Sequence, residues 1–164
     1  MEHNLPAFTA HPETRIGHVH LKVSDISRAL TFWRDVLGLT VTLERPGAAF
    51  LSVGGYHHHI ALNTWESEGG TPPPAHHTGL YHVALLYPDR MALAVVLKRA
   101  LDAGMKLDGA SDHGVSEALY LRDPDGNGVE LYRDRPREEW PQDDQGAMTM
   151  FTRPLDVAAL LAET

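Results

Sequence analysis

The segment IGHVHLKVSD (16–25) returns later in the chain as LYHVALLYPD (80–89). His18 and His82 are 64 residues apart, and Asp25 and Asp89 are separated by the same 64 residues. Both segments place apolar residues in the alternation of a half-buried strand and then end in an aspartate, a common N-cap residue of helices. The shared register predicts that the chain contains one module twice.

A helical pattern follows each aspartate. In the first copy the apolar positions are Ile26, Leu30, Trp33 and Leu37. In the second copy they include Met91, Val95 and Leu101. Ser24 or Asp25 can cap the first helix, and Gly38 and Gly104 are placed to end the two helices in a left-handed conformation.

Three short strand-like runs follow each helix. They are TVTLERP (40–46), AAFLSVGG (48–55) and HHHIALNTW (57–65) in the first half, and KLDGASDHG (106–114), EALYLRD (117–123) and GVELYRD (128–134) in the second. The run DPDGNG (123–128) is a strong turn signal between the last two. Each half is therefore predicted to be βαβββ.

Two such modules predict an α+β fold in which paired βαβββ units form a half-open barrel around a metal cleft. We expect one domain over residues 1–164. Module 1 covers about 15–66, a Gly- and Pro-rich linker about 67–78, module 2 about 79–134, and a tail with a short helix 135–164.

The parity of the first strand directs its histidines to the cleft. Leu21 and its apolar neighbours at alternate positions should pack under the helix, so that His18 and His20 face inward. The same alternation, applied to the histidine run, predicts His58 on one face and His57 and His59 on the other.

His18, His82 and Glu130 are the candidate metal ligands. The two histidines are equivalent in the repeats, and Glu130 has the parity opposite to Val129 and Leu131, which should face the core. One histidine at a strand start is more often structural than a ligand. Two imidazoles and one carboxylate together form a facial triad with open positions for substrate and O₂ on a redox-active metal.

The amino-acid composition limits the kinds of partner and of metal ligand that this protein can have. The net charge of −8 argues against nucleic acid and against an anionic membrane surface as partners. The 164 residues include no cysteine, so any metal must be held by histidine and carboxylate. No apolar run is long enough for a membrane span and no signal peptide is evident, so we expect a cytoplasmic protein.

These residues resemble the vicinal oxygen chelate superfamily of paired βαβββ modules, and within it the extradiol ring-cleaving dioxygenases. The superfamily's metal pattern matches His18, His82 and Glu130. The strand HHHIAL resembles the dioxygenase strand that carries an acid–base histidine, here His58, and SDHGVSEALYL supplies His113 and Tyr120. The resemblance covers about residues 15–135, and LYLRDPDGNGVELYRDRPREEW (119–140) is similar to catechol-2,3-dioxygenase-like proteins.

The resemblance implies a catecholic substrate, O₂ and Fe(II), with Mn(II), Zn(II) or Ni(II) as other candidate metals, and a homodimer is a reasonable expectation. Many of these dioxygenases have four modules, whereas this sequence has two. A glyoxalase would carry a fourth, carboxylate ligand where this chain has Ile60-Ala61-Leu62. A superfamily isomerase, lyase or thiol transferase, and a non-enzymatic aromatic- or drug-binding protein, remain the alternatives.

Several residues keep two interpretations. Tyr120 is either a hydrogen-bonding group of the site or an aromatic core residue. His20 either orients the substrate or competes as a ligand. At least one of His57 and His59 is a supporting or surface residue, and the linker pair His76-His77 is a surface pair or part of a lid.

Overall fold

The computed structural model describes residues 7–74 and 76–164. Module 1 contains β1 (Val19–Lys22), α1 (Ile26–Leu30) with a π-helical turn (Thr31–Val36), β2 (Thr40–Arg45), β3 (Ala48–Ser52) and β4 (Ile60–Asn63). Module 2 contains β5 (Val83–Tyr87), α2 (Arg90–Asp102), β6 (Leu107–Asp112), β7 (Ser116–Arg122) and β8 (Gly128–Asp134). The tail adds a 3₁₀ turn (Arg137–Glu139), β9 (Arg153–Pro154) and α3 (Val157–Leu161).

The two sheets have the same topology, which confirms the α+β fold and the duplicated βαβββ module. The first sheet has the order β1-β4-β3-β2, and the second has β5-β8-β7-β6 with β9 added at its edge. The first strand of each module runs parallel to the last, and the other pairs within each module are antiparallel. Both sheets are open, and β1 and β5 each form an outer edge.

Helix ends lie where the sequence predicts them. The carboxylate of Asp25 accepts a hydrogen bond from the Arg28 backbone N–H at 2.8 Å, and Asp89 accepts one from Ala92 at 2.8 Å. Gly38 has φ 81° and therefore adopts the left-handed conformation that stops a helix. The first helix differs from the prediction in one respect, because α1 passes into a π-helical turn after one regular segment.

The buried face of α2 does not contain the three apolar residues that were named for this helix from the sequence. Met91, Val95 and Leu101 are exposed, while the buried positions are Leu93, Ala94, Val96, Leu97 and Ala100. The helix is rich in apolar residues on two faces. The set at i, i+3, i+4 and i+7 is the more complete stripe and packs inward.

One hydrophobic core runs through both modules and the tail. It contains Phe32 and Trp33 from the first module, Leu97 and Leu131 from the second, and Leu160 of α3. The predicted short tail helix is thus confirmed and its Leu160 is fully buried. Within the described residues, no helix has the length and apolar character needed to cross a bilayer. Residues 1–6, which bear on the signal-peptide expectation, lie outside the described part.

Polar contacts also join the modules. The side chain of Arg99 in α2 donates to the backbone carbonyl of Val36 at 3.1 Å. In the predicted turn between β7 and β8, the Asp125 carboxylate accepts from the Ser24 backbone N–H at 3.1 Å and from the Arg28 guanidinium. These contacts hold the helix side of module 1 against module 2.

Candidate functional site

Strand pairing in module 2 brings His82 and Glu130 together. The parallel register pairs Val83 with Val129 and Ala84 with Glu130, and His82 directly precedes β5. His82 Nε2 lies 2.9 Å from Glu130 Oε2, and the two side chains are 31% and 14% exposed. The structure thus unites two of the three predicted ligands in a half-buried site.

Gly128 allows this close approach. A Cβ atom at this position would lie 2.0 Å from the Tyr81 carbonyl oxygen and 3.1 Å from the His82 Cα atom. Only glycine lets the start of β8 pass so near the residues that present His82. In the sequence this glycine belongs to the turn pattern DPDGNG, and nothing in that pattern indicates its role beside the site.

We predict that Gly128→Ala displaces His82 and destabilises the protein by about 2–4 kcal/mol, in the range of other severe backbone clashes. Gly79→Ala is the control, because a Cβ there would meet nothing within 4 Å and Gly79, like Gly128, has no positive φ. Chemical denaturation of both variants measures the difference. Equal free energies of unfolding for the two variants would contradict the prediction.

Tyr120 and His113 extend the pair into a chain of hydrogen bonds. Tyr120 is opposite Glu130 in the β7–β8 register, and its hydroxyl oxygen lies within hydrogen-bond reach of Glu130 Oε1 at 3.2 Å. His113 Nε2 lies 2.8 Å from the same hydroxyl oxygen. Burial, with the Glu130 charge adding to it, raises the pKa of Tyr120 to about 12. The phenol therefore stays protonated at neutral pH, and Tyr120 is a polar member of this cluster.

His18 and His58 meet in the first module. Their ring centroids are 4.5 Å apart, and the Phe50 ring lies 5.2 Å from His58. The parity expected for β1 is confirmed, because Leu21 is buried and His20 is exposed. Partial burial, followed by the charges of neighbouring histidines including His18, lowers the pKa of His58 below its ordinary value. This shift favours the neutral form of the His58 ring at pH 7.

The predicted alternation of the histidine run is wrong. His57 Nδ1 and His58 Nδ1 lie 2.7 Å apart, so the two rings meet rather than occupy opposite faces. The reason is that β4 begins only at Ile60, and the histidines before it have irregular backbone. His59 instead turns to β3, where its Nδ1 lies 3.0 Å from Ser52 Oγ.

The structure also gives partners to the other histidines. His20 Nε2 lies 2.9 Å from the Asn63 side-chain nitrogen, and its ring packs edge-on against Trp65. Sequence reasoning missed Asn63 and Ser52, although their positions at strand ends facing histidines were a usable signal. His76 and His77 in the linker are exposed, in agreement with a surface pair.

The full three-ligand set is not assembled within one chain. Across residues 7–74 and 76–164, no three His, Asp or Glu side chains lie together in a way that could hold a metal ion. His18 belongs to the first module's histidine cluster, and His82 and Glu130 belong to the second module's site. The common metal site of all three residues therefore stays a prediction.

The His82–Glu130 pair fits a divalent metal. Two donors bound side by side to one ion at ordinary ligand distances of about 2.0–2.2 Å would be separated by about 3 Å. The imidazole and carboxylate atoms are 2.9 Å apart. His82 Nδ1 is buried and has no hydrogen-bond partner among the described residues, so this chain satisfies only one of its ring nitrogens. The donor types and their spacing are those of two adjacent ligands.

A pocket adjoins His82. It has a volume of about 170 Å³ and is lined by His82, Tyr120, Arg122 and neighbouring residues. A larger open groove of about 700 Å³ lies at the start of α1, where it includes Ser24 and Arg28 but none of the predicted site residues. The smaller pocket is the one that a substrate near His82 would enter.

Comparison with known proteins now identifies the family. The profile described as "Glyoxalase/Bleomycin resistance protein/Dioxygenase superfamily" matches residues 15–131. The chain belongs to this superfamily. The match covers the first βαβββ module and the second as far as the middle of β8, and it includes His18, His82, His113, Tyr120 and Glu130.

Two curated members of the superfamily resemble the chain closely. It is 40% identical over 154 residues to catechol-2,3-dioxygenase of Bacillus subtilis (strain 168), which covers 93% of this chain and 53% of that protein. It is 36% identical over 121 residues to biphenyl-2,3-diol 1,2-dioxygenase 3 of Rhodococcus globerulus, covering 73% of this chain and 63% of that protein. The chain thus spans between half and two thirds of the length of these relatives.

A solved structure of the superfamily shares the fold. The glyoxalase/dioxygenase from Nostoc punctiforme superposes with a TM-score of 0.65 at 17% identity, covering 80% of this chain and 99% of that one. That structure therefore shares the fold of this chain.

Proposed function

We propose that the protein is an extradiol-type dioxygenase that cleaves the ring of a catecholic substrate with O₂. The observation that carries the proposal is the His82–Glu130 pair, 2.9 Å apart, beside a pocket that Tyr120 also lines. The 40% identity to a catechol-2,3-dioxygenase supports it. The substrate, the metal and the reaction on this chain are proposals.

His82 and Glu130 would hold the metal, and His18 would be the third ligand. A divalent iron bound there would offer about three open positions, so that a catecholate and O₂ are held side by side. Mn(II), Zn(II) and Ni(II) fit the same donor types. We assign proton transfer and substrate orientation to side chains around the pocket.

We propose that His18 reaches the site from a second copy of the chain. His18 is grouped with His58 in module 1, whereas His82 and Glu130 are in module 2 and form no three-ligand group with it in the described residues. Strands β1 and β5, which carry these histidines at their starts, are both sheet edges. Two chains arranged about a two-fold axis would place each His18 at the partner's pair and so form two equal sites.

His58 is the proton-transfer group of the proposal. Its lowered pKa favours the neutral ring, which can take a proton from a substrate hydroxyl. With Nδ1 facing His57, Nε2 is the nitrogen that we assign to the substrate. Because the His18 and His58 rings are in contact, His58 would enter the same site as His18.

We predict that His58→Gln lowers kcat by roughly 100-fold or more, the usual contribution of a general acid–base group. Bound metal should be unchanged, because glutamine retains a polar side chain next to His18. His11→Gln, at an exposed position in the N-terminal segment, is the control. Steady-state oxygen uptake and elemental analysis check this, and an unchanged kcat would remove His58 from the mechanism.

Tyr120 and His113 would contact the substrate oxygens from the other side. Tyr120 remains a phenol at neutral pH and can donate one hydrogen bond. His113, 2.8 Å away, fixes the direction of that hydroxyl. Together these groups would keep a substrate hydroxyl oriented in the pocket.

The runner-up is a superfamily isomerase, lyase or thiol transferase that uses an electrophilic metal without O₂. The glyoxalase members of the matched superfamily support this alternative. Anaerobic metal exchange separates the two. We predict that Fe(II) or Mn(II) restores catechol-dependent oxygen uptake, whereas glyoxalase-type activity with Zn(II) or Ni(II) and no oxygen uptake would contradict the dioxygenase. Binding of an aromatic ligand that is unaffected by chelation, without turnover, would indicate a non-enzymatic binding protein.

A further inference from the structure

The C-terminal tail contacts His113 at two points. The backbone N–H of Phe151 donates to the His113 carbonyl at 3.3 Å, and the Phe151 carbonyl oxygen lies 3.2 Å from His113 Nδ1. The Thr152 hydroxyl oxygen is also 3.2 Å from Nδ1. The tail therefore meets both the backbone and the ring of this histidine, on the side opposite to Tyr120.

The position of the tail is fixed by close packing. Gly114 has φ +78°, and a Cβ atom there would lie 2.7 Å from the Phe151 ring and 2.8 Å from Pro141. Beyond this point β9 pairs with the edge of β6, and Leu160 is fully buried in the core. The carbonyl of Phe151 is thus held in place from both directions along the chain.

A carbonyl oxygen can only accept a hydrogen bond. A hydrogen bond between the Phe151 carbonyl oxygen and His113 therefore requires that Nδ1 carries the hydrogen. In the neutral ring only one nitrogen is protonated, so Nε2 is left as an acceptor. The Thr152 hydroxyl can pair with either form of Nδ1, whereas the Phe151 carbonyl pairs only with Nδ1–H, so the carbonyl favours the ring that faces the site with a lone pair on Nε2.

This choice bears on the single hydrogen of the Tyr120 hydroxyl. That hydrogen has two acceptors, His113 Nε2 at 2.8 Å and Glu130 Oε1 at 3.2 Å, and can serve only one at a time. With Nε2 as an acceptor, the shorter contact draws the hydrogen toward His113. A ring protonated at Nε2 would instead donate to Tyr120 and direct the hydroxyl hydrogen to Glu130.

We propose that the Phe151 backbone carbonyl is a positioning group for His113, which holds its Nδ1–H tautomer and so directs the Tyr120 hydrogen away from Glu130. The tautomer is a property of the metal-free chain. Its catalytic consequence rests on the proposed function, because it concerns how Tyr120 meets a substrate oxygen.

The test uses the full chain, metal-free and labelled with ¹⁵N, above the ordinary histidine pKa of roughly 6.5. Long-range ¹⁵N–¹H spectra distinguish a protonated from an unprotonated ring nitrogen, and His113→Gln identifies the resonances among those of the 11 histidines. We expect the wild type to show His113 protonated at Nδ1 and bare at Nε2. Protonation at Nε2 instead would overturn the proposal.

Two variants separate the carbonyl from other causes. Gly114→Ala should push Phe151 away and produce a mixture of tautomers, while Gly104→Ala, with a similar φ of +76° and nothing within 4 Å, should not. Thr152→Val should retain Nδ1–H, because the carbonyl remains. An unchanged His113 spectrum in Gly114→Ala, or loss of Nδ1–H in Thr152→Val, would reject the carbonyl as the cause.

Phe151→Ala provides a second route if Gly114→Ala does not fold, since it removes the ring that packs over Gly114 and beneath Arg153. It too should produce a mixture of tautomers, and retention of pure Nδ1–H would count against the proposal. In the iron-loaded protein we expect both variants to lower kcat by about tenfold with little change in KM, as for other outer partners of a site. If the protein had no dioxygenase activity, the proposed function would be rejected, but the tautomer result would still stand.

Discussion

Glu130→Gln is expected to lower Fe(II) affinity by more than about 100-fold and to abolish oxygen uptake, because even outer partners of metal ligands are worth roughly 10–100-fold. The side chain is 14% exposed and both carboxylate oxygens have partners, Tyr120 at 3.2 Å and His82 at 2.9 Å. Glutamine keeps the shape and removes the charge that compensates a cation. Anaerobic titration with Fe(II), followed by elemental analysis, measures the loss.

The matched control is Glu66→Gln, which removes an exposed carboxylate paired with Lys22. This variant should bind iron as the wild type does, since surface ion pairs contribute at most about 1 kcal/mol to stability. Thermal unfolding of both variants establishes that they are folded. If folded Glu130→Gln retained wild-type iron affinity, Glu130 would have to be a structural partner of His82 and not a ligand.

His18→Ala and His82→Ala are each expected to be inactive alone and to recover activity when they are combined in one dimer. In the proposed dimer, each chain supplies His18 to one metal site and supplies His82 and Glu130 to the other. A mixed dimer then has one site missing both histidines and one site intact. Random mixing should restore about a quarter of the wild-type activity, because half of the dimers are mixed and half of their sites are complete.

Co-expression of the two variants with different affinity tags isolates the mixed dimer and allows its activity to be measured directly. Its expected value is about half that of the wild-type dimer. A chain that carries both substitutions forms dimers in which every site lacks both histidines. These dimers should be inactive. A purified mixed dimer without activity, or a wild-type chain that is monomeric while active, would place His18 in the same chain's site.

The repeat and the strand register are what made much of this molecule predictable. The spacing of His18 and His82 fixed equivalent places in two modules, and alternation in the last strand put Glu130 on the face opposite to Leu131, which is buried. Aspartate caps and glycine stops act within a few residues of chain, so their positions were readable from the sequence alone.

Features that depend on packing between distant segments were not predictable. The histidines at 57–59 precede their strand, so a period-two pattern does not describe them. Gly128 reads as a turn residue, and only the approach of Tyr81 shows why it must be glycine. The contact of Phe151 with His113 joins residues 38 positions apart through a backbone atom, for which no side-chain pattern exists.

The most direct test of ring-cleaving dioxygenase activity is oxygen consumption by anaerobically iron-loaded protein on addition of catechol. We expect uptake of about one O₂ for each catechol consumed, abolished by chelation and regained with Fe(II). Iron that binds to folded protein while a panel of catechols elicits no oxygen uptake would contradict it.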